Sequence, residues 1–387
     1  MRISRRTLML GGGALAVVAG AGVAAGAFAF TRRPSRALQP WEAAEAARYD
    51  DPRLRALAYA ILAPNPHNRQ PWLVELAGDD SLVVYCDLDR RLPETDPFDR
   101  QVTIGLGCFL ELLRLAAAAD GHETIVEPFP AGEPAERLDE RPVARLRLRR
   151  AETATVDPLF HQVLRRRSNK EPYDTTRPVA ADALAALRAA ALAPDSVGVS
   201  NEPSMVETLR ALTWRAFETE IRTPRTFLES ARLMRIGKAE IEANPDGIDI
   251  EGFVPDLMKT LGLFGHADLE EPDGPIIGRT LDMYRPILGT GMAYLWIATA
   301  GNSRRQQLAA GRDWLRINLA AAALGIGVHP VSQALQEFPE MGENFAAVHR
   351  LLDVAPGGRV QMLGRLGHGP DVGPSPRWPL ESRIKPA

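Results

Sequence analysis

Two long stretches, Gln101–Gly121 and Gln307–Gly327, constrain the fold more than any other part of the chain. Each is rich in Ala and Leu and each closes on glycine. An apolar run of that length, ending on a residue free to take left-handed backbone, reads as a buried helix. No short-period repeat is present, so the pair marks a coarse doubling of the chain. β-Branched segments surround the first copy. Residues 72–77 and 81–87 are split by Gly78-Asp79-Asp80, as in a hairpin, and 123–129 and 143–150 alternate like strands. A similar order restarts at Asp157, with helices expected to Arg167 and over 180–193 and a strand-to-helix region from Ser204 to Phe217. A strand over Ala293–Thr299, a helix over Arg304–Leu324 and a strand over Arg359–Arg365 follow. Between the copies, residues 222–290 are rich in Met, Leu, Pro and Gly and read as mostly helical without strands. Long insertions of this kind in compact domains are commonly lids.

The 387 residues are 45% hydrophobic and 25% charged, ample material for a sizeable core or two fused ones. With a net charge of −3 and scattered basic residues, the chain carries no electrostatic footprint for nucleic acid. A small-molecule partner is expected. Residues 1–30 read as targeting sequence: Arg2 and Ser4-Arg5-Arg6-Thr7-Leu8-Met9 precede an uncharged run to Phe30, a twin-arginine export pattern. The expected partner there is the twin-arginine export machinery, and the expected location is periplasmic, otherwise extracytoplasmic, or N-terminally membrane-anchored. Ala27-Phe28-Ala29 is a passable cleavage site, and the run is also long enough to span a bilayer, so cleavage and anchoring both stay open. A Pro/Arg-rich linker is expected over 31–40, and Cys86 and Cys108 read as buried apolar side chains.

Metal catalysis is not expected, because the chain has no HExxH and no CxxC and its seven histidines are dispersed. Gly105-Leu106-Gly107 lacks the third glycine of a dinucleotide turn. Two segments carry chemistry instead. The region Trp41–Leu62, one or two amphipathic helices, stops at Pro64-Asn65-Pro66, after which Asn68 and Gln70 lie on a short loop before a strand. Amides there offer two-way hydrogen bonding to a planar heterocycle, although amides in turns also serve simply to close them. In Arg165-Arg166-Arg167-Ser168-Asn169-Lys170, clustered cations and a hydroxyl suit a phosphate, or a solvated basic helix end.

Together the two segments resemble the nitroreductase superfamily. Ala63–Trp72 resembles that family's A-P-S-x-x-N-x-Q-P-W signature with Asn65 in place of Ser, and Arg166–Lys170 resembles its R-R-S-x-R signature with Lys170 in place of the last arginine. Tyr173 stands one residue later than the expected aromatic. The order is the informative departure, since ordinary members carry the R-R-S segment first and build each FMN site between two subunits. The reversed order here resembles the Acg-like branch, in which two nitroreductase-like halves are fused.

That resemblance implies an α+β fold of two fused halves, each a mainly antiparallel sheet flanked by helices. The first would span 41–150 and the second 151–387, with a helical lid over 222–290. It implies FMN as cofactor, NAD(P)H as possible electron donor, and a nitroaromatic, quinone or similar acceptor. The implied FMN contacts are Pro64, Asn65, Asn68 and Gln70 from the first half and Arg166, Arg167, Ser168 and Lys170 from the second. Gly325–Gln333 resembles the segment whose backbone faces flavin N5, adding Pro330, Val331 and Ser332, without the family's acidic-Gly pair. Pro376-Arg377-Trp378-Pro379 resembles a tail that reaches the phosphate through Arg377. The alternative reading is a lidded protein that sequesters flavin without turnover, and a blander one is a fold that binds no flavin.

Overall fold

The computed structural model describes residues 34–386 apart from 47, 153, 272 and 273, so the export segment expected over 1–30 lies outside the described residues. Helix α1 (Ser35–Glu45) occupies part of the stretch expected to be linker, and α2 (Pro52–Ala60) follows, capped by the Asp51 carboxylate on the Arg53 N–H at 2.8 Å. The hairpin forms as read, β1 (Trp72–Ala77) against β2 (Ser81–Cys86). Gly78 supplies the left-handed turn residue, φ 55°. Helix α3 (Arg100–Ala119) is capped by Asp96, which accepts from the N–H groups of Gln101 and Val102. Then come β3 (His122–Pro128) and β4 (Ala144–Arg150). All four strands form one antiparallel sheet, in the order β1-β2-β4-β3.

The helix expected over 157–167 is instead a short 3-10 turn, Pro158–Gln162, after which the Gln162 carbonyl accepts both the Arg165 and Arg166 N–H groups. Next are α4 (Ala181–Ala189), β5 (Val197–Ser200) and α5 (Pro203–Arg222). The strand thus precedes the stretch beginning at Ser204, because Glu202 caps a helix there. The insertion continues with α6 (Pro224–Arg232), β6 (Met234–Ile236), α7 (Gly237–Ala243), β7 (Ile248–Ile250), α8 (Phe253–Thr260), α9 (His266–Leu269) and α10 (Pro275–Gly289). It is mostly helical, but β6 and β7 pair in parallel, which corrects the expectation of no strands. The chain ends with β8 (Ala293–Thr299), α11 (Arg304–Ala323), β9 (Gly327–Pro330), α12 (Gly342–Leu351) and β10 (Arg359–Gly367). A capping box of Ser303 and Gln306 starts α11.

The second sheet, β5-β8-β10-β9, is also wholly antiparallel and repeats the connectivity of the first. In each, a long helix joins the second strand to the third, and the fourth returns between them. Where the first sheet has the short turn at 78–80, the second has the whole run from α5 to α10. The fold is α+β, as expected. Helices α3 and α11 pack backbone to backbone at its centre: a Cβ on Gly107 would lie 2.2 Å from the Leu308 carbonyl oxygen, and one on Gly311 2.0 Å from that of Ile104. Around this crossing, residues of both sheets share one core, while α5, α10 and the outer side of the second sheet form another. Helix α3 is long and apolar enough to cross a membrane, but most of it is buried in that shared core.

Candidate functional site

Three separate stretches converge at one end of the first sheet: the loop after α2, the cationic segment before α4, and the C-terminal tail. The loop is tightly wound. His67, Asn68 and Gln70 hold left-handed backbone at φ 47°, 50° and 52°, a costly choice for residues other than glycine. Asn65 closes the turn, accepting the Gln70 N–H at 2.6 Å and donating to the Ala63 carbonyl at 3.1 Å. Asn68 accepts from Arg377 Nη1 at 2.5 Å and donates to the Pro376 carbonyl at 2.9 Å. Gln70 is wholly buried; it donates to the carbonyls of Asn68 and Pro245 and accepts the Trp378 N–H. Both amides therefore bind loop, tail and insertion together, whereas the sequence suggests they are presented openly to a ligand. Pro64 is half-buried beside them.

Arg166 and Arg377 meet over this loop. Arg377 Nη2 donates to the Leu62 and Ala63 carbonyls at 3.2 and 3.3 Å, and Arg166 Nη2 to the same Leu62 carbonyl at 3.3 Å. The two are only 4% and 3% exposed, yet neither forms an ion pair among the described residues. Arg166 Nη1 and Arg377 Nε are buried with no hydrogen-bond partner. Burial, aided by the charge of Arg167, pushes Arg166 down to about 10, and burial, aided by the charges of Arg166 and Arg167 against that of Asp249, pushes Arg377 down to about 9. A guanidinium has only donors, so two of them desolvated together, with no carboxylate in hydrogen-bonding contact among the described residues, suit an anion. Arg167 donates to the carbonyls of Leu164 and Arg166 and lies 4.8 Å over the Trp41 ring, which Arg377 also faces at 5.6 Å. Trp41 on α1 is thus part of the site, and nothing in its sequence setting signalled that.

Asn169 ties the cationic segment to the second sheet, its N–H donating to the Val328 carbonyl at 3.0 Å. The Ser168 side chain makes no hydrogen bond among the described residues, nor does that of Lys170, which is exposed. The Lys170 charge acts on two histidines, the half-buried His67 in the loop and the buried His329 in β9. His67 bonds Ser230 at 3.0 Å, and burial, then Lys170 and Arg69, pushes it down to about 4. Pro330 ends β9. The Val331 N–H is committed to the Leu363 carbonyl at 2.9 Å and its side chain to the second core, which leaves Ser332 as the member of that trio with a backbone donor to offer. The phosphate-side and ring-side candidates therefore border one seam.

The insertion closes over the loop. Asp246, 6% exposed, accepts from Arg90 at 2.7 Å and Arg235 at 2.9 Å and pairs with Arg69 at 3.2 Å. Next to it Pro245 accepts from Gln70, and Glu229 binds the Glu94 and Thr95 N–H groups. A cleft of about 480 Å³ elsewhere, lined by Phe98, Glu133, Arg304, Glu337 and Arg359 among others, shares no residue with this seam. Across its walls Arg359 pairs with Glu337, while Arg304 donates to the Pro134 and Glu136 carbonyls. No cluster of three metal-ligating side chains occurs among the described residues.

No family model matches the chain. It is similar to "Putative NAD(P)H nitroreductase Rv3131" of Mycobacterium tuberculosis, 26% identical over 342 residues that make up 85% of this chain and 90% of the relative. It is also similar to "Putative NAD(P)H nitroreductase acg" of the same organism, 40% identical over 75 residues; that match spans 19% of this chain and only 22% of the relative's length. Among solved structures it is similar to an FMN and NADPH-dependent nitroreductase, NfnB, from sphigopyxis sp. strain HMH, with TM-score 0.37, 16% identity, and 60% of this chain and 99% of that one covered. A nitroreductase from Anabaena variabilis, also described as putative, gives TM-score 0.39 at 12% identity over 82% of this chain and 88% of that one. The nitroreductase-like character read from the two motifs is supported by the curated relatives along most of the chain.

Proposed function

We propose that the protein is an FMN-dependent oxidoreductase of the nitroreductase-like type, with one site at the seam. The observation that carries this reading is the pair of buried guanidiniums, Arg166 and Arg377, each with a polar atom lacking a partner. The residues fit a phosphate-bearing group. Arg166, Arg167 and Arg377 would hold the phosphate with the Ser168 hydroxyl beside them, charge-assisted bonds being the strong kind. Lys170, Ser332 and the Pro64–Asn68 turn would border the ring. Bound FMN supplies the redox chemistry, taking and giving hydride at N5, with NAD(P)H as donor and a nitroaromatic, quinone or similar acceptor. The protein's part is to bind, orient and exclude water: the strained loop is fixed by Asn65 and Gln70, and the insertion covers it through Asp246.

The repeated sheet connectivity and the reciprocal Gly107 and Gly311 contacts support a fusion of two nitroreductase-like halves. Export by the twin-arginine route, which carries folded proteins, suits a chain that must acquire its cofactor before leaving, and Arg5-Arg6 with the uncharged run supports it.

A second reading, flavin sequestration without turnover, is favoured by the Asp246 latch, whose carboxylate serves three arginines. Stopped-flow mixing of FMN-loaded protein with NADPH separates the two. Bleaching of the absorbance near 450 nm within seconds establishes the reductase, and a spectrum unchanged over minutes establishes sequestration. Protein that purifies colourless and takes up no FMN refutes both.

A further inference from the structure

Arg365 is a third buried cation, and its geometry assigns a state to its neighbour. It lies in β10 directly between Tyr294 of β8 and His329 of β9 in the antiparallel register. It is completely buried and makes no ion pair among the described residues. Its Nη2 donates to the Glu171 carbonyl at 2.8 Å, and its guanidinium stacks 4.0 Å over the Tyr173 ring. Its Nε lies 2.8 Å from His329 Nδ1. Because a guanidinium has no acceptor, Nδ1 must accept, and the proton of a neutral imidazole is then on Nε2. Charging the ring would turn two N–H groups on each other and add a cation beside Arg365 and Lys170. Burial, with the charges of Arg365 and Lys170, accordingly holds His329 well below the ordinary imidazole range. The other ionisable groups acting on this cluster are Tyr173, Tyr294, Tyr284 and Glu171 and, sharing the Lys170 charge, His67.

His329 also borders the proposed site. It follows Val328, to which the cationic segment is tied, and precedes Pro330. We propose that Arg365 locks His329 as a neutral Nε2–H donor that recognises an oxygen acceptor at the seam, a flavin carbonyl or the oxygen of a nitro or quinone substrate. The recognition role rests on the flavin reading; the lock does not.

Apoprotein labelled with 15N-histidine tests the lock, with the His329 signals assigned by their loss in His329→Gln. Nδ1 is expected unprotonated and Nε2 protonated throughout pH 5.5–8.5, and in Arg365→Met, which lacks the donor to Nδ1, the Nδ1–H tautomer is expected to appear; a wild-type ring with its proton on Nδ1 overturns the lock. One that becomes imidazolium within that range overturns it too. The second arm adds FMN and then nitrobenzene, following the Nε2–H resonance. A shift with FMN assigns the flavin carbonyl, and a shift only with nitrobenzene assigns the substrate oxygen. FMN binding seen by absorbance with neither shift overturns the recognition role and spares the flavin reading, whereas no FMN binding overturns both. His329→Ala is expected to weaken the ligand that shifts the resonance by about 3- to 10-fold, the loss of one neutral hydrogen bond, and His329→Gln to restore most of it.

Discussion

Replacing Arg166 by Met should affect the free and FMN-loaded protein in opposite directions. In the free protein the guanidinium is 4% exposed, lacks an ion pair among the described residues, and leaves Nη1 without a partner. Burial lowers its proton affinity to about 10, which at 1.36 kcal/mol per tenfold corresponds to about 3 kcal/mol held against folding at neutral pH. The sign follows from linkage. A cation whose folded pKa lies below its unfolded value binds fewer protons when folded, so stability rises only once pH climbs past about 10. Below that, an anion is the available relief. Removing the charge leaves no orphaned acceptor, because the Leu62 carbonyl still receives Arg377 Nη2. Urea unfolding of apoprotein should therefore show the Arg166→Met variant as stable as wild type or more so, by up to about 3 kcal/mol. FMN affinity, measured by fluorescence quenching, should fall roughly 10- to 150-fold, for one charge-assisted phosphate bond of about 1.5–3 kcal/mol. Apoprotein destabilised by more than ~1 kcal/mol, together with unchanged FMN affinity, would refute the reasoning, for Arg166 would then be a structural arginine.

Three further perturbations follow from the same geometry. Asp246→Asn removes the charge shared by Arg69, Arg90 and Arg235, so about 3–5 kcal/mol of local stability should be lost and amide exchange over 228–250 should accelerate; exchange as slow as wild type would mean the insertion is held otherwise. Gly311→Ala forces a methyl to 2.0 Å from the Ile104 carbonyl oxygen and should cost at least about 1–3 kcal/mol by calorimetry, so an unchanged melting temperature would contradict the close crossing. His67 is held to about 4, so its folded form binds fewer protons than the unfolded chain between pH 4 and 6.5, and stability should rise with pH through that window and then level off. His67→Gln should flatten that slope in urea unfolding at stepped pH, and an identical slope would remove His67 as its source.

Much of the fold was legible because it rests on periodicity and punctuation. The glycine-ended helices 100–119 and 304–323 and the 72–86 hairpin emerged within a residue or two, since burial and turn chemistry act locally there. Residues 157–167 misled because Asp157 and Pro158 make a good helix start and Arg165–Arg167 a good helix end, while the Asn169 bond to Val328 draws the chain away. The parallel β6–β7 pair was invisible because three-residue strands carry no period. At the site, the motifs brought the right segments together but not the roles within them. A sequence shows that Gln70 has an amide, but not that Pro245 and Trp378 already occupy it. It equally gives no sign that Arg365, in an ordinary strand pattern, faces His329.

On the proposed fusion of two halves, the reciprocal crossing of α3 and α11 bears on why one chain would carry a single lidded seam. Gly107 meets Leu308 while Gly311 meets Ile104, the i-to-j and j-to-i exchange of a two-fold interface, here within one chain. A homodimer must keep both copies of such a surface identical, so any lid added to one site is added to both. Covalent linkage removes the association cost and lifts that identity constraint. The shared connectivity then gives each half the same hairpin position, between its first two strands. At that position the first sheet has the three-residue turn at 78–80 and the second has α5 to α10, which place Asp246 and Pro245 against Arg69 and Gln70. On this reading the latch joins the two halves across the proposed site, so access to the seam and contact between the halves are governed by the same buried carboxylate.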